Sequence, residues 1–364
     1  MTIATGIFIF LDLVVASMTL LPLLPLQDWW SRAGEFPRLQ IASLALVILV
    51  AQVLLLPMTP ILSWLMHAVV LGCLVYQLVW IIPYTRFFPV EVLAAASSDS
   101  RNEISVLVAN VLMSNRDTRR LDALVGSWNP DVVLLLETDD WWEERWRHLR
   151  DSYPYGLDCP LANRYGMHLY SRLEMENAEL EFLVEDDVPS MHAGIYLRSG
   201  ECVSFHAVHP SPPSPTENPT SRERDAELLV VGRSVAEDPH RVIVTGDFND
   251  VAWSPTTRLF RKISRLLDPR IGRGMFSTFH AAFPFLRFPL DHVFHSDDFT
   301  LVEMQVLSRF GSDHLPIHYR LSYQPSVQRV QEAPAANGDD QAEASEKISK
   351  SSARPADVPE PDRD

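Results

Sequence analysis

VTGDFND, residues 244–250, begins with the β-branched residues typical of a buried strand and ends in the polar residues Asp247 and Asn249. GSDHLPI, residues 311–317, places Asp313 and His314 directly before another apolar run. A single carboxylate beside a strand often only caps a turn or a helix. The two stretches together predict strands whose ends carry polar side chains of related chemistry.

The same arrangement recurs in four further stretches of the chain. Polar residues end or begin a short apolar run in each of them, and chance placement of turn residues does not explain so many. The further candidates are Asn110 after ISVLVA, Glu137 after DVVLLL, His206 and His209 in FHAVHP, and Asp291 in PLDHVF.

Short apolar runs bounded by turn residues predict strands through most of the chain. Many strands with few helices between them favour two packed sheets covered by helices over a doubly wound parallel sheet. The predicted strands are 103–109, 131–136, 167–171, 194–197, 202–208, 242–245, 291–295, 301–307 and 315–321, and the predicted helices are 118–128, 140–150, 221–236 and 255–263.

Three apolar runs, 3–26, 39–57 and 61–83, precede this region. Each has about 20 residues, the length with which a helix crosses a bilayer, and the first lacks the basic start of a signal peptide. Residues 1–86 are therefore predicted to form a three-helix membrane anchor in contact with membrane lipid. Arg32, Arg38 and Arg86 fall on the side of the remaining chain, which weakly favours a cytoplasmic location for it.

The remaining chain divides into a linker, 87–102, a domain, 103–323, and a tail, 324–364. The tail has few large apolar residues, so we expect it to be disordered. The 364 residues carry a net charge of -16, which argues against a protein whose main task is to grip duplex DNA, although a local basic groove stays possible. The spacing of the three cysteines, Cys73, Cys159 and Cys202, matches neither a zinc finger nor a CxxC redox motif.

The chain resembles the endonuclease/exonuclease/phosphatase superfamily, which includes DNase I-like nucleases, inositol-polyphosphate phosphatases and neutral sphingomyelinases. The matching stretches occur in the family's order: VLVANVLMSN, DVVLLLE, YGMHLYSR, HAVHPSPP, VTGDFND, PLDHVF and GSDHLPI. The resemblance implies a four-layer α/β/β/α sandwich with the site at one edge of its two sheets. The anchor resembles one bacterial branch of the family, which implies an integral protein of the bacterial inner membrane.

The resemblance also implies a role for each candidate. Glu137, Asn110 and Asp313 would ligate the metal, and hard oxygen ligands suit Mg²⁺ or Mn²⁺. Asp247 would orient or deprotonate the attacking water, and Asn249 would fix that water or a phosphoryl oxygen. His314, held by Asp291, and His209 would donate to the phosphate.

Three further residues are candidate substrate contacts. His206 precedes His209 by three positions, so on a strand it points to the opposite face and is more often a core histidine. Asn115 matches a second asparagine of the membrane-bound branch, but it could instead cap the helix near residue 118. Arg172 is as well explained by a buried ion pair as by a phosphate contact.

These features together predict a membrane-anchored, metal-dependent hydrolase of phosphodiester or phosphomonoester bonds. Two substrate classes remain open: nucleic acid, and a lipid or isoprenoid phosphate, which the acidic charge and the anchor favour slightly. A catalytically silent membrane scaffold is the alternative of a different class. No obligate protein partner is indicated.

Overall fold

The computed structural model describes residues 3–24, 26–57, 60–96, 99–238 and 241–359. The N-terminal part contains helices α1 (Ile3–Leu20), α2 (Trp29–Arg32), α3 (Arg38–Leu55) and α4 (Ile61–Ile81). Among the described residues, three segments are long and apolar enough to cross a membrane: Ile3–Leu23, Arg38–Leu55 and Ile61–Tyr84. They coincide with the three apolar runs of the sequence.

The rest of the chain contributes strands and five further helices to the described part. The strands are β1 (Glu103–Asn110), β2 (Val132–Leu136), β3 (Tyr155–Cys159), β4 (Met167–Ser171), β5 (Met175–Glu181), β6 (Ser190–Tyr196), β7 (Cys202–Val208), β8 (Arg241–Asp247), β9 (Asp291–His295), β10 (Phe299–Val306) and β11 (Ile317–Tyr323). The helices are α5 (Arg119–Trp128), α6 (Asp140–Trp146), α7 (Arg222–Glu237), α8 (Pro255–Ser264) and α9 (Gly338–Ile348).

Two mixed sheets form the centre of the domain, with strand orders β10-β11-β1-β2-β4-β3 and β5-β6-β7-β8-β9. Their facing sides bury one apolar core, to which every second residue of β1 contributes, for example Val106 and Val108. α5 and α6 cover the outer side of the first sheet, and α7, α8 and α9 cover the outer side of the second. The predicted four-layer α/β/β/α sandwich is therefore confirmed.

Each sheet contains one parallel pair, β1 with β2 and β7 with β8, and each pair is joined by a crossover through a helix. A parallel pair brings the carboxyl ends of its two strands to the same edge of the sheet. The two pairs thereby gather the residues that follow β1, β2, β7 and β8, and this arrangement positions the candidate site.

The tail differs from the expectation of disorder, which is wrong for residues 324–359. α9 begins with a capping box between Asn337 and Asp340 and packs on α7 and α8. Ala344 and Ile348 enter the core on that side, and the Lys347 ammonium lies 3.0 Å from the Asp225 carboxylate, both of them buried. A small apolar contact and a buried ion pair thus order a segment whose composition resembles a disordered tail.

The predicted linker also packs against the domain. Ser97 and Ser98 of this linker lie outside the described residues. Val92 is fully buried in the main core, and the Leu301 amide donates to the Leu93 carbonyl at 2.9 Å. Glu91 pairs with Arg261 on α8 at 2.5 Å. The segment therefore holds the N-terminal helices close to the domain.

Candidate active site

The two parallel strand pairs meet at one edge of the sandwich, where Asn110 connects them. Asn110 ends β1, and its Nδ2 atom donates to Glu137 Oε1 at 2.8 Å and to Asp247 Oδ2 at 3.2 Å. Glu137 follows β2 in the same sheet, whereas Asp247 ends β8 in the other sheet. A single amide therefore bridges two carboxylates that belong to opposite sheets.

The backbone is strained at two of the residues that follow these strands. Glu137 has a φ of 59° and Asn249 a φ of 50°, both in the left-handed region that side chains other than glycine rarely adopt. The Asn249 amide donates to Asp247 Oδ1 at 2.9 Å, and Asn249 Nδ2 donates to the Pro210 carbonyl at 3.0 Å. Backbone strain of this kind is common where a function requires a side chain in one position.

His314 lies between two carboxylates. Its Nδ1 atom is 2.9 Å from Asp291 Oδ2, and its Nε2 atom is 3.5 Å from Asp247 Oδ2. The main chain around it is fixed by Ser312, whose hydroxyl donates to the Asn110 carbonyl at 2.7 Å and accepts from the His314 amide at 3.0 Å. Asp291 can therefore orient the imidazole toward Asp247.

His209 approaches the same carboxylate from the loop after β7. Its Nε2 atom is 3.9 Å from Asp247 Oδ2, too long for a hydrogen bond, and its Nδ1 atom has no hydrogen-bond partner among the described residues. The ring of Tyr165 lies 5.5 Å from the His209 ring, centre to centre. His209 therefore lies at the cluster with ring nitrogens that are available to hydrogen-bond a substrate.

Burial and neighbouring negative charges raise the pKa values of two acids in the cluster. Burial raises the pKa of Glu137 to about 7, with Asp313 and Asp247 adding to the shift and the Asn110 hydrogen bond opposing it. Burial also raises the pKa of Asp247, against the neighbouring His314. Both acids are held in a site where the carboxylate form lacks its usual solvation.

The surroundings shift the pKa values of the two histidines in opposite directions. Burial alone would lower the pKa of His314, but Asp291 and Asp247 outweigh it and raise that pKa to about 10. Burial lowers the pKa of His209 to about 4, only partly opposed by Asp247. One imidazole is therefore a cation and the other is neutral near pH 7, and they differ in what they can donate.

The oxygen donors of this cluster fit a hard divalent cation. Glu137 and Asp247 are buried acids bridged by one amide, and a cation beside them would neutralise charge that burial disfavours. Asp247, Asp291 and His314 also offer ligand atoms within 4.8 Å of one another. Both ring nitrogens of His314 face carboxylates, however, so this ring is better placed to donate hydrogen bonds than to ligate a metal.

Asp313, the third predicted metal ligand, lies beside the cluster and is only half-buried. Its carboxylate accepts from the Ser312 hydroxyl at 3.3 Å and is close enough to raise the pKa of Glu137. Asn115, a candidate substrate contact, orders the loop before α5 by accepting from the Asp117 amide at 3.1 Å. Its amide also lies near Gly311, where a Cβ atom would meet Asn115 Oδ1 at 2.8 Å.

Two predicted substrate contacts lie away from the cluster, which contradicts their predicted role. Arg172 follows Ser171, which pairs with Val132 at the start of β2, so it lies at the opposite edge of the sheet. Its guanidinium stacks on the Tyr153 ring at 4.4 Å. His206 is buried within β7, and its Nδ1 atom lies 2.8 Å from that of His192 on β6.

The sequence reasoning missed a buried ion network that supports the Asn249 loop. Arg224 on α7 donates through Nη1 to the Asn249 carbonyl at 2.9 Å and through Nη2 to Asp225 Oδ1 at 2.9 Å. The same guanidinium lies 3.4 Å from Asp250, the acid that ends VTGDFND. An arginine in the first turn of a helix gives no sequence signal for this function, because helix starts usually favour acids.

Comparisons with known proteins agree with the fold described above. The sequence model of the Endonuclease/Exonuclease/phosphatase family matches residues 107–314. A comparison with curated protein sequences finds no match.

Solved structures with the same fold include D. rerio TDP2 in complex with single strand DNA product, with 17% identity, a TM-score of 0.50, and coverage of 60% of this chain and 99% of that one. They also include an endonuclease/exonuclease/phosphatase from Beutenbergia cavernae, with 17% identity, a TM-score of 0.50, and coverage of 62% and 72%. A similar enzyme from Bacteroides vulgatus has 16% identity, a TM-score of 0.50, and coverage of 61% and 99%. At these identities the likeness establishes the fold.

Proposed function

The chain belongs to the endonuclease/exonuclease/phosphatase family, and on that premise we propose that it is a membrane-anchored, divalent-metal-dependent phosphoesterase. One observation carries the proposal: Asn110, Glu137 and Asp247 from opposite sheets converge within hydrogen-bonding distance at the edge where His209 and His314 also lie. Acids, an amide and two imidazoles are the groups that hydrolysis of a phosphate ester needs together.

The proposed roles follow from the position of each group. Glu137 and Asn110, with Asp313 beside them, would hold Mg²⁺ or Mn²⁺, which when bound neutralises charge on phosphoryl oxygens. Asp247, whose Oδ2 atom lies 3.5 Å from His314 Nε2 and 3.9 Å from His209 Nε2, would accept the proton of the attacking water. Asn249 would hold that water or a phosphoryl oxygen in place.

The two histidines would have different roles toward the phosphate. His314 is charged and its ring orientation is fixed by Asp291, so it can donate a hydrogen bond or a proton to an oxygen that becomes negative. His209 is neutral and would donate a hydrogen bond only. Opposed pKa shifts within one buried cluster favour an enzyme over a silent scaffold.

The N-terminal helices support the membrane part of the proposal. Their lipid-length apolar segments expose large side chains such as Leu54 and Val79 to the surroundings, at 75% and 62%. Arg32, at the end of α2, and Arg86, after α4, lie on the domain side of these segments, which supports a cytoplasmic domain. The two substrate classes, nucleic acid and lipid phosphate, share the chemistry of this site.

Hydrolysis of bis(p-nitrophenyl) phosphate by the full chain in detergent micelles tests the proposal. We expect Mg²⁺ or Mn²⁺ to support turnover, EDTA to abolish it, and Asp247→Asn to lower it at least a hundredfold. Asp297→Asn is the matched control, because Asp297 lies beyond the far end of β9. Metal-independent turnover, or equal turnover by both variants, would refute the assigned site.

A further inference from the structure

A hairpin of the domain, residues 278–288, reaches from the candidate active site to residues 33–37 between α2 and α3, which we call the first anchor loop. Its two sides pair at the base, where the amides of Thr278 and Phe279 donate to the Phe288 carbonyl, both at 3.0 Å. Its tip exposes three large apolar side chains, Phe283 at 57%, Phe285 at 89% and Leu286 at 53%. Exposed aromatic tips of this kind are costly in water and mark a contact surface.

The base of this hairpin touches the catalytic segment. The Phe279 ring lies 4.9 Å from the His314 ring, and the Leu315 amide donates to the Thr278 carbonyl at 3.0 Å. The Ala281 amide donates to the Asp313 carbonyl at 2.6 Å. The hairpin therefore runs directly alongside residues 313–315.

The tip of the hairpin meets the start of a segment that is long and apolar enough to cross a membrane. Gln40, in the first turn of α3, donates through Nε2 to the Phe285 carbonyl at 2.6 Å. At the base, the Phe288 ring packs edge-to-face on Phe36 of the first anchor loop at 5.9 Å. These contacts put the hairpin tip at the level where α3 would enter the bilayer.

A pocket of about 780 Å³ lies between this hairpin and α3. Its walls include Leu39 and Ser43 of α3, Phe276 and Phe285 of the hairpin region, and Leu315 beside His314. The volume is within the roughly 300–1,000 Å³ typical of small-molecule sites. Its walls are mainly hydrocarbon, so it suits an apolar group joined to a phosphate held nearby.

The α3 wall of the pocket continues as a surface that would face lipid. Leu39 and Ser43 are exposed, and one and two turns further along the same side Val47 and Val50 are 64% and 50% exposed. A hydrocarbon chain could therefore extend from the pocket along α3 without crossing water.

We propose that this pocket binds the hydrocarbon chain of a bilayer-resident phosphate ester, so that the enzyme acts on a lipid phosphate. The inference rests on the proposed phosphoesterase function and specifies its substrate class. The continuity of the pocket with the lipid-facing side of α3 selects a lipid chain as the occupant. The net charge of -16 opposes the other candidate, a nucleic acid.

Chain-length dependence in the full chain tests the pocket. The probes are p-nitrophenyl butyl phosphate and p-nitrophenyl hexadecyl phosphate in detergent micelles, and the readout is the ratio of kcat/KM for the long ester to that for the short one. We expect Ser43→Phe, which fills the pocket from an exposed position, to lower this ratio about tenfold, the effect of roughly two buried methylene groups. Phe285→Ser removes a wall at the exposed tip and should lower the ratio in the same direction.

Leu54→Phe is the matched control, because it adds an aromatic ring to the lipid-facing side of α3 about 16 Å further along the helix. A ratio that falls equally in this control, or stays unchanged in both pocket variants, would overturn the pocket. Equal kcat/KM for the two esters in the wild-type protein would also overturn it, while leaving the phosphoesterase function in place.

Photolabelling tests binding in the pocket independently of hydrolysis. A hexadecyl phosphate with a diazirine in its chain should label residues 39–43 and 275–287 in the wild-type protein and lose this labelling in Ser43→Phe. Labelling elsewhere would overturn the pocket. Labelling of these segments without metal-dependent hydrolysis of either ester would support the pocket and refute the proposed function.

Discussion

Replacing Lys347 by Met should measure how firmly the C-terminal segment is docked. The Lys347 ammonium is buried, lies 3.0 Å from Asp225 Oδ2, and donates to Thr256 Oγ1 at 3.0 Å. Methionine keeps an unbranched stem of similar length but removes the charge and both hydrogen bonds. The Asp225 carboxylate would then remain buried with Arg224 as its charged partner.

The expected loss of stability depends on the charged partner that Asp225 retains in the variant. Breaking a buried ion pair typically costs about 3–5 kcal/mol when the remaining charge is left alone. Because Arg224 still lies 2.9 Å from Asp225, we expect a smaller loss of about 2 kcal/mol in the free energy of unfolding. For a domain of this size that corresponds to a fall in Tm of roughly 4–8 °C.

Thermal unfolding of the full chain in detergent, followed by circular dichroism, provides the assay. Lys350→Met is the matched control, since Lys350 pairs with Glu346 at 2.8 Å on the exposed side of α9 and such pairs contribute under about 1 kcal/mol. Burial opposes ionisation of Asp225, but Lys347 and Arg224 outweigh it and hold its pKa well below the ordinary 3.8. The stabilisation is thus present above about pH 4 and is lost as the pH falls below it. Equal Tm values for Lys347→Met and Lys350→Met at pH 7 would refute the docking of α9.

Three further predictions concern the site and the core. Glu137→Gln should lower metal-dependent turnover at least a hundredfold without lowering Tm, and wild-type turnover would exclude Glu137 as a ligand. Asp291→Ala and His314→Ala should not be additive in kcat/KM, because Asp291 acts through His314; a double variant that loses the sum of both effects would exclude the pairing. Burial raises the pKa of Glu227 to about 8, and neither of its carboxylate oxygens has a hydrogen-bond partner among the described residues. The folded state therefore retains a proton that the unfolded state loses between about pH 4.5 and 8. Across that window the stability of the wild-type protein should fall relative to that of Glu227→Gln, and parallel Tm curves for the two proteins would contradict this.

The sequence correctly indicated that Asn110, Glu137 and Asp247 lie at the ends of strands, because a short apolar run that ends in a polar residue is a local pattern. The relative placement of the two sheets came only with the family resemblance, since no local pattern brings Asn110 within 3.2 Å of Asp247. β5 (Met175–Glu181) was missed because its sequence, MENAELE, is polar and its pairing with β6 is irregular. Such an edge strand is stabilised by its neighbour more than by its own residues.

Other errors arose where tertiary contacts outweighed local composition. The tail is rich in alanine and acids, yet Lys347 finds a buried partner on α7, 122 positions away. Residue spacing correctly placed His206 away from His209, but its pairing with His192 on the neighbouring strand had no signal. The sequence left Arg172 open between a buried ion pair and a phosphate contact, whereas in the structure its guanidinium lies over the Tyr153 ring.

The contact between the N-terminal helices, the proposed anchor, and the domain limits whether either part can be exchanged for that of another protein. The fully buried Trp253, a few residues after Asn249, donates through Nε1 to the Glu35 carbonyl at 2.7 Å, and the Tyr84 hydroxyl donates to the Ala252 carbonyl at 2.6 Å. One apolar cluster contains residues of both parts. A version of the chain that begins after the anchor, or that carries a foreign one, would expose this tryptophan beside the catalytic loop. Recombination at that boundary should therefore yield insoluble or poorly active chimaeras unless residues 28–37 and 82–84 travel with the domain.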